Sequence, residues 1–321
     1  MTTLLSAQGI EKHFKLGRAR KAPILRAVNR VDLDIAKGES VGLVGESGSG
    51  KSTLGRCLAG AYQPDLGTLL FDGVDMLRAN QEEIRWLRHR IQFVFQNPTS
   101  ALNPRMTVAE TLTEHLHVQA YGSRARIAQR VGRIMDLCGL PRCHADRFPH
   151  QLSGGQKQRV LIARALGTEA DFIVADEPVS ALDGSTRAQI INLFSDLRRD
   201  LGLSSLIISH DLTVLAHLSQ RIAVMYFGRL VEIAPAATLL RAPRHPYSQI
   251  LLAAVPVPDP SVERVRTRLA VRGESPDPTE VVRGCPFHSR CPLVGPRCLT
   301  DVPPLRTLPD ETAVACHNVD V

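Results

Sequence analysis

The spacing of apolar residues along the chain changes period several times, and each change marks an element. Gly9 to Phe14 reads as an early strand, followed by a basic loop from Gly17 to Lys21. In Val28 to Ile35, Val31, Leu33 and Ile35 share one face, with Arg30, Asp32 and Asp34 opposing them, as in a half-buried strand. Ser40 to Val44 is mostly apolar and predicts a buried strand, and Ser52 to Gly60 suits the first turns of a helix. Thr68 to Phe71 is a short apolar run between the turns Gln63–Gly67 and Asp72-Gly73. Residues 81–90 are charged and helix-like, and Ile91 to Phe95 is a strand ending at Gln96. From Val108 to about Leu140 the period lengthens. Val108, Leu112, Leu116, Ala120, Val131, Ile134, Met135 and Leu137 recur mainly at helical spacing and predict a helical subdomain. Helices are then predicted over Gly154–Leu166, Ser185–Arg199 and Leu212–Leu218. Strands are predicted over Asp171–Ala175, Ser204–Ser209, Arg221–Tyr226 and Leu230–Ile233. This alternation predicts a layered α/β domain. Pro243, Pro246, Pro256, Pro258 and Pro260 mark a linker into a tail rich in Cys, Pro and Arg.

Between the strand ending at Val44 and the helix opening at Ser52 lies GESGSGKST, which fits the phosphate-loop pattern G-x-x-x-x-G-K-[ST]. Its residues Gly45, Glu46, Ser47, Gly48, Ser49, Gly50, Lys51, Ser52 and Thr53 are the candidate phosphate-binding set. Small residues let backbone N–H groups turn inward around phosphate oxygens at a helix N-terminus, where the helix dipole adds to the attraction. Lys51 is expected to reach the β- and γ-phosphates, and the Ser52 hydroxyl to ligand Mg²⁺. Asp176 follows Phe172-Ile173-Val174-Ala175 at a strand end, where a carboxylate can hold Mg²⁺ beside Ser52. Glu177, next to it, can divide the work by polarising an attacking water.

Bulk properties narrow the class. No apolar run approaches the roughly 18 residues of a membrane span. Met1 to Gly9 lacks a basic start and an apolar segment, so a cytosolic protein is expected, with any membrane role exerted through a partner. The formal charge is +7. The arginines are scattered through 18–30, 85–90, 124–133 and 264–272 without forming a stripe, which argues against nucleic acid. His115 and His117 read as surface or packing residues, and Cys57 as packing. Of the seven cysteines, Cys285, Cys291, Cys298 and Cys316 fall near the C-terminal end. In a reducing compartment they are not expected to form disulfides. Four soft thiolates suggest an iron–sulfur cluster or zinc, with His288 and His317 leaving a Cys₃His zinc site open.

The motifs together resemble the nucleotide-binding subunit of an ATP-binding cassette transporter, over residues 10–235. Leu152-Ser153-Gly154-Gly155-Gln156 matches the family signature. Gln96 resembles the glutamine loop, which touches Mg²⁺ or water and faces the membrane subunit. Asp176-Glu177-Pro178 resembles the second nucleotide motif, with Glu177 as general base. Ser180-Ala181-Leu182-Asp183 resembles the loop that crosses the dimer interface. His210 resembles the switch histidine that reads the γ-phosphate, and Phe14 the aromatic residue placed against adenine. The resemblance implies an α/β P-loop NTPase of the ATP-binding cassette type over residues 1–240, with a helical signature subdomain at about 97–165. A Pro/Cys-rich extension would occupy 241–321. It also implies ATP and Mg²⁺ as ligands, and two ATP sites closed only in a head-to-tail dimer.

A narrower resemblance is to the ATPases of dipeptide and oligopeptide importers. It rests on Gln96-Asn97-Pro98 with Ser100 to Arg105, on Val224 to Glu232, and on Arg244-His245-Pro246-Tyr247. Ser52 to Arg56 and Asp176 to Asp183 look like the second, F-type ATPase of such systems, with Gly184 standing where valine is usual. This implies a heterodimer with a second homologous ATPase, two transmembrane permease subunits, and an extracytoplasmic peptide-binding protein. The location implied is the cytoplasmic side of the cell membrane, and some members of the group are similar in binding a [4Fe-4S] cluster in a Gly284-Cys285-Pro286-Phe287 tail. The same machinery serves nickel or other small solutes. A soluble cassette ATPase acting on nucleic acid and a metal- or oxygen-sensing regulator are the readings from other classes.

Overall fold

A computed structural model describes residues 2–17, 19, 22–118, 121–255, 276–277, 279–280 and 282–319. Outside them lie Ala120, Arg18, Arg20 and Lys21 of the basic loop, Pro256, Pro258 and Pro260, and the arginines between 264 and 272.

The chain opens with β1 (Thr3–Lys15) and β2 (Ile24–Ala36), paired antiparallel with Ala7 opposite Leu33 and Ile10 opposite Val31. The alternation in β2 has its expected effect: Val28, Val31, Leu33 and Ile35 are buried, while Arg30, Asp32 and Asp34 face solvent. β3 (Ser40–Val44) is buried at every position and leads through the glycine-rich loop into α1 (Lys51–Leu58). β4 (Leu66–Phe71) and β5 (Val74–Asp75) complete an antiparallel sheet in the order β2-β1-β4-β5. Next, α2 (Gln81–Arg90) opens on a reciprocal Asn80–Glu83 capping box and runs into β6 (Ile91–Val94).

The helical subdomain contains α3 (Pro98–Ala101), α4 (Val108–Val118) and α5 (Arg124–Leu137), and leads into α6 (Gly154–Leu166). Val108, Leu112, Leu116, Val131, Ile134 and Met135 are buried in one cluster with the apolar face of α6. The α/β alternation then resumes through β7 (Phe172–Asp176), α7 (Gly184–Leu201), β8 (Ser204–Ile208), α8 (Leu212–Leu218), β9 (Arg221–Tyr226) and β10 (Arg229–Pro235). Strands β6, β7, β8, β3 and β9 lie side by side and parallel. Helices and a second sheet cover their faces, which is why these strands read as continuous apolar runs. One core fills the space between the two sheets, where α1 contributes Leu54, Cys57 and Leu58. The other joins the opposite face of the parallel strands to α6, α7 and α8.

At Pro246 the chain is helical where a linker was expected. After α9 (Ala236–Arg241), Pro246 occupies the first turn of α10 (Pro246–Ala253), where its missing N–H leaves no bond unmade. Tyr247 is among the largest fully buried side chains. Further on, α11 (Pro296–Thr300), β11 (Arg306–Thr307) and β12 (Ala313–Val314) form the extension. β12 pairs antiparallel with β10, with Val314 opposite Glu232 and Ala313 opposite Ile233. Among the described residues the large sheet therefore has the order β11-β12-β10-β9-β3-β8-β7-β6, and the extension covers the edge that β10 would otherwise expose.

Candidate functional site

The carboxyl ends of β3, β6, β7 and β8 open on one cavity of about 440 Å³, the position where an open α/β sheet holds its ligands. β3 supplies the glycine-rich loop, β6 is followed by Gln96, β7 ends in Asp176 and Glu177, and β8 is followed by His210; all of these line the cavity. The loop's two fixed glycines are explained by contact. A Cβ at Gly45 would stand 2.1 Å from the Met225 carbonyl oxygen, and one at Gly50 would stand 2.0 Å from that of Ala27. Gly50 also has φ 102° as the residue that starts α1, a conformation open to glycine and strained for other residues. Lys51 is 8% exposed and donates to the carbonyl oxygens of Gly45 and Glu46, each at 2.8 Å. Burial pushes its ammonium below the usual lysine range, against the opposing pull of Glu177, Asp176 and Glu46. It is a desolvated cation held at the mouth of an anion cradle.

Beside it, the Ser52 hydroxyl donates to Asp176 Oδ1 at 3.0 Å. Burial raises the Asp176 carboxyl while the Ser52 hydrogen bond opposes the rise. Ser52, Asp176 and Gln96 together offer hard oxygen donors on one cavity wall, the donor set that suits Mg²⁺. Glu177 holds φ 50°, outside the ordinary range for a non-glycine residue, and its N–H donates to the Ile208 carbonyl oxygen at 2.9 Å. Its carboxylate takes the His210 N–H at 3.1 Å and meets His210 Nδ1 at 2.8 and 3.0 Å. The strained backbone is fixed from both sides, as is common where a side chain must be aimed.

Phe14 stands in β1, edge-on to Tyr62 with ring centroids 5.8 Å apart, and pairs in the sheet with Leu25, which lines the cavity. The signature residues lie elsewhere. Ser153 caps α6 and forms a capping box with Gln156: the Gln156 N–H donates to Ser153 Oγ at 3.3 Å, and the Ser153 N–H to Gln156 Oε1 at 3.0 Å. Leu152 and Gly155 are buried, while Ser153 and Gly154 face solvent, away from the cavity of their own chain. A Cβ at Gly155 would meet Thr186 Cγ2 at 2.2 Å, so the signature turn sits directly on the start of α7. There Asp183 caps the helix, accepting from the Thr186 N–H at 2.9 Å and the Thr186 hydroxyl at 2.8 Å. These bonds hold its carboxyl down at about 2. Ser180 Oγ donates to the Glu177 carbonyl oxygen at 3.1 Å, and Ala181 and Leu182 bridge the two. A Cβ at Gly184 would meet nothing within 4 Å, so the departure from valine disturbs no contact here.

Comparison with known proteins agrees with this geometry. The ABC transporter family profile matches residues 28–180. A putative peptide import ATP-binding protein of Brucella ovis is 45% identical over 98% of both chains. The chain belongs to the ABC transporter ATP-binding family. A second profile, the C-terminal region of oligopeptide/dipeptide transporters, matches residues 231–298. The di/tripeptide transport ATP-binding protein DppF of Pseudomonas aeruginosa is 40% identical over 100% of this chain and 99% of its own. Among solved structures, the dimeric ABC cassette MJ0796 bound to ADP and Pi is similar with a TM-score of 0.65 at 30% identity. That match covers 73% of this chain and 99% of the other. The ATP-binding and hydrolysing cassette, its helical subdomain and its use of Mg²⁺ are therefore those of an ABC ATPase.

Two contacts of this ABC cassette carry no sequence signal. The Glu46 N–H donates to the Tyr247 hydroxyl at 2.8 Å, and Arg290 grips the Glu46 carboxylate with both terminal nitrogens at 2.8 and 2.9 Å. The partners stand 201 and 244 residues away, beyond the reach of any spacing rule. The four C-terminal cysteines are neighbours: Cys285 senses Cys298, Cys291 and Cys316 electrostatically, and burial pushes its thiol up to about 11. Among the described residues, no group of three or more His, Cys, Asp or Glu side chains is drawn tightly enough to hold a single metal ion. His288 Nδ1 and His317 Nε2 are engaged with backbone carbonyl oxygens, of Cys285 at 2.8 Å and Asp301 at 2.9 Å. Cys57 is a core residue, fully buried with its thiol pushed up to about 11. His115 is half-buried, and its imidazole is pushed down to about 4 chiefly by desolvation.

Proposed function

We propose that the chain is the ATP-hydrolysing subunit of an importer for dipeptides or oligopeptides, bound on the cytoplasmic side of the membrane to two permease subunits. The supporting observation is the convergence of Lys51, the Ser52–Asp176 pair and the Glu177–His210 pair on one cavity. It occurs in a chain similar over almost its whole length to peptide-import ATP-binding proteins. No helix among the described residues is long and apolar enough to cross a membrane, so coupling to permeases would run through surface contact.

In this reading the Gly45–Thr53 loop and Lys51 bind the triphosphate, and Phe14 meets the adenine. Ser52, Asp176 and Gln96 would hold Mg²⁺, whose charge would neutralise the phosphates. Glu177 takes the proton of the attacking water, and His210 orients that water and the γ-phosphate; the 2.8 Å contact between the two fixes the relative aim of base and orienter. Leu152 to Gln156 and Ser180 to Asp183 face a second cassette in a head-to-tail dimer, with a homologous ATPase as partner. The outward-facing start of α6, with backbone N–H groups at a helix N-terminus, suits the phosphates of a nucleotide held by that partner. A peptide-binding protein outside the membrane would supply the cargo.

For Cys285, Cys291, Cys298 and Cys316 we propose ligation of a [4Fe-4S] cluster. The reading is supported by the four cysteines being neighbours in the extension, where Cys285 senses Cys298, Cys291 and Cys316, and by the affinity of soft thiolates for iron–sulfur clusters.

Both readings are tested by anaerobic affinity purification from gently solubilised native membranes, with mass identification of co-purifying chains and iron, zinc and sulfide analysis of the same sample. Recovery of a second ATPase, two permeases and a peptide-binding protein is expected, with iron and sulfide in equal amounts. Recovery of only soluble chains or nucleic acid would overturn the importer reading, and zinc without sulfide would overturn the cluster.

A further inference from the structure

Glu46 is an awkward residue for a phosphate cradle. Its carboxylate sits in the loop that must accept a polyanion, and its carbonyl oxygen already holds Lys51. The side chain does not line the cavity and is 35% exposed, so its charge acts on a bound polyanion from beside the site, and neutralising it weakens that repulsion. In this chain the neutralising group comes from the C-terminal extension. Arg290 is only 9% exposed and meets both Glu46 carboxylate oxygens, the bidentate geometry in which a guanidinium binds a carboxylate most strongly. Two rings flank it: the guanidinium stands 5.8 Å from the Tyr226 centroid and 5.9 Å from that of Phe287. Tyr247 packs against both, at 4.6 and 5.4 Å.

A second tie reaches the same residue. The Tyr247 hydroxyl accepts the Glu46 N–H, which turns that donor away from the cavity and fixes the first peptide of the loop. Tyr247 is itself held by buried polar groups. The Glu232 carboxylate accepts the N–H groups of Arg244 and His245, each at 2.8 Å, and His245 Nδ1 accepts the Tyr247 N–H at 3.0 Å. Glu232 belongs to β10, the strand onto which the extension pairs. The bracket therefore runs from the sheet edge to the phosphate loop without a solvent-exposed gap.

We propose that Arg290 and Tyr247 are positioning residues for ATP, which hold Glu46 neutralised and the phosphate loop open so that the C-terminal extension sets nucleotide affinity. The inference rests on the Lys51 loop being the nucleotide site. Neither residue touches the reacting atoms, so their removal weakens binding and leaves the Glu177–His210 chemistry in place.

The test is a double-mutant cycle on the full chain, purified anaerobically, with MgATP affinity by calorimetry and steady-state KM and kcat. Arg290→Gln is expected to raise the dissociation constant and KM about 5- to 20-fold, the range of a typical coupling between sites, with kcat within about twofold. Arg290→Lys keeps the charge and should recover much of the loss. In a Glu46→Gln background the carboxylate that needs neutralising is gone, so Arg290→Gln should change affinity by less than about twofold. Tyr247→Phe, which removes one hydroxyl and keeps the packing, should raise KM a few-fold and carries the test if Arg290→Gln does not fold. Unchanged affinity in Arg290→Gln, an equal loss with and without Glu46, or a loss in kcat alone would each overturn the proposal. The wild type and a Lys51→Ala control separate the two readings. If the wild type does not bind MgATP, or Lys51→Ala binds it equally well, the site reading fails.

Discussion

Replacing the loop glycines one at a time separates two physical costs that a sequence pattern cannot distinguish. Gly48 has φ 80° and a Cβ there would meet nothing within 4 Å. Gly48→Ala therefore carries only the left-handed backbone penalty, about 1–2 kcal/mol for an L-residue. Gly50 has φ 102°, and its Cβ would lie 2.0 Å from the Ala27 carbonyl oxygen and 3.0 Å from Met225 Cε. Methionine can swing aside, but Ala27 belongs to β2, which is locked to β1 by the sheet. Relief needs roughly 1 Å of backbone movement, an overpacking cost of about 1–3 kcal/mol added to the same kind of backbone strain. At about 2–4 °C per kcal/mol for a domain of this size class, Gly48→Ala should lower Tm by about 2–8 °C. Gly50→Ala should lower it by about twice that. The assay is thermal unfolding without nucleotide, followed by MgATP titration of both variants. Gly50→Ala should also lose nucleotide binding, because displacing Gly50 displaces Lys51 next to it. Equal Tm values for the two variants would refute the claim that a carbonyl contact, and not φ alone, demands glycine at position 50.

Three further outcomes follow from the same geometry. Glu177→Gln keeps the shape of the site and removes the proton acceptor, so phosphate release should fall about 10²- to 10⁴-fold while MgATP still binds; near-normal turnover would remove Glu177 from the base role. Gly155→Ala should lower Tm through the 2.2 Å contact with Thr186 Cγ2, and Thr186→Ser, which deletes that methyl and keeps the hydroxyl bonded to Asp183, should restore it; no rescue would show that the methyl is not the obstacle. His245 is 1% exposed and burial pushes its imidazole down to about 4. Its folded-state value lies below the unfolded one of about 6.5, so the unfolded chain takes the proton first. Its stabilising contribution is complete above about pH 6.5 and is lost as pH falls towards 4. His245→Asn, which keeps an acceptor for the Tyr247 N–H, should flatten the Tm–pH slope in that window, and an unchanged slope would count against a neutral buried ring.

What could be read from the chain was whatever two or more neighbouring residues dictate together. The apolar run of β3, the loop glycines and the amphipathic start of α1 form one contiguous signal, and Asp176 is legible because it ends an apolar strand. The helical subdomain was visible because Val108, Leu112 and Leu116 repeat over several turns. The strand pairing of the C-terminal extension was not. β11 and β12 are two residues long each and carry no period, and their register on β10 depends on a pairing some eighty residues distant. Pro246 looked like a linker residue because proline disfavours helix interiors, yet the first turn of a helix accepts it. Arg290 carries no signal in the sequence. Its role is set by a carboxylate 244 residues earlier, and only the folded chain brings the two together.

The same contacts explain how surface events can reach the nucleotide. Ser153 and Gly154 are exposed at the start of α6, and Gly155 presses on Thr186, whose hydroxyl bonds Asp183. From Asp183 it is three residues back to Ser180, which donates to the Glu177 carbonyl oxygen, and Glu177 meets His210. The links are contacts, hydrogen bonds and one three-residue stretch of backbone, so a body pressed against the signature face would act on the peptide of Glu177, the proposed general base. On the other side, Arg290 and Tyr247 act on Glu46, at the entry of the phosphate loop. The two routes meet the site at different atoms. A perturbation through the signature face should appear in kcat, because it moves Glu177, whereas one through the extension should appear in KM, because it moves the cradle. That split follows from where the contacts end, and it would not arise if the cassette responded to both surfaces as a single rigid body.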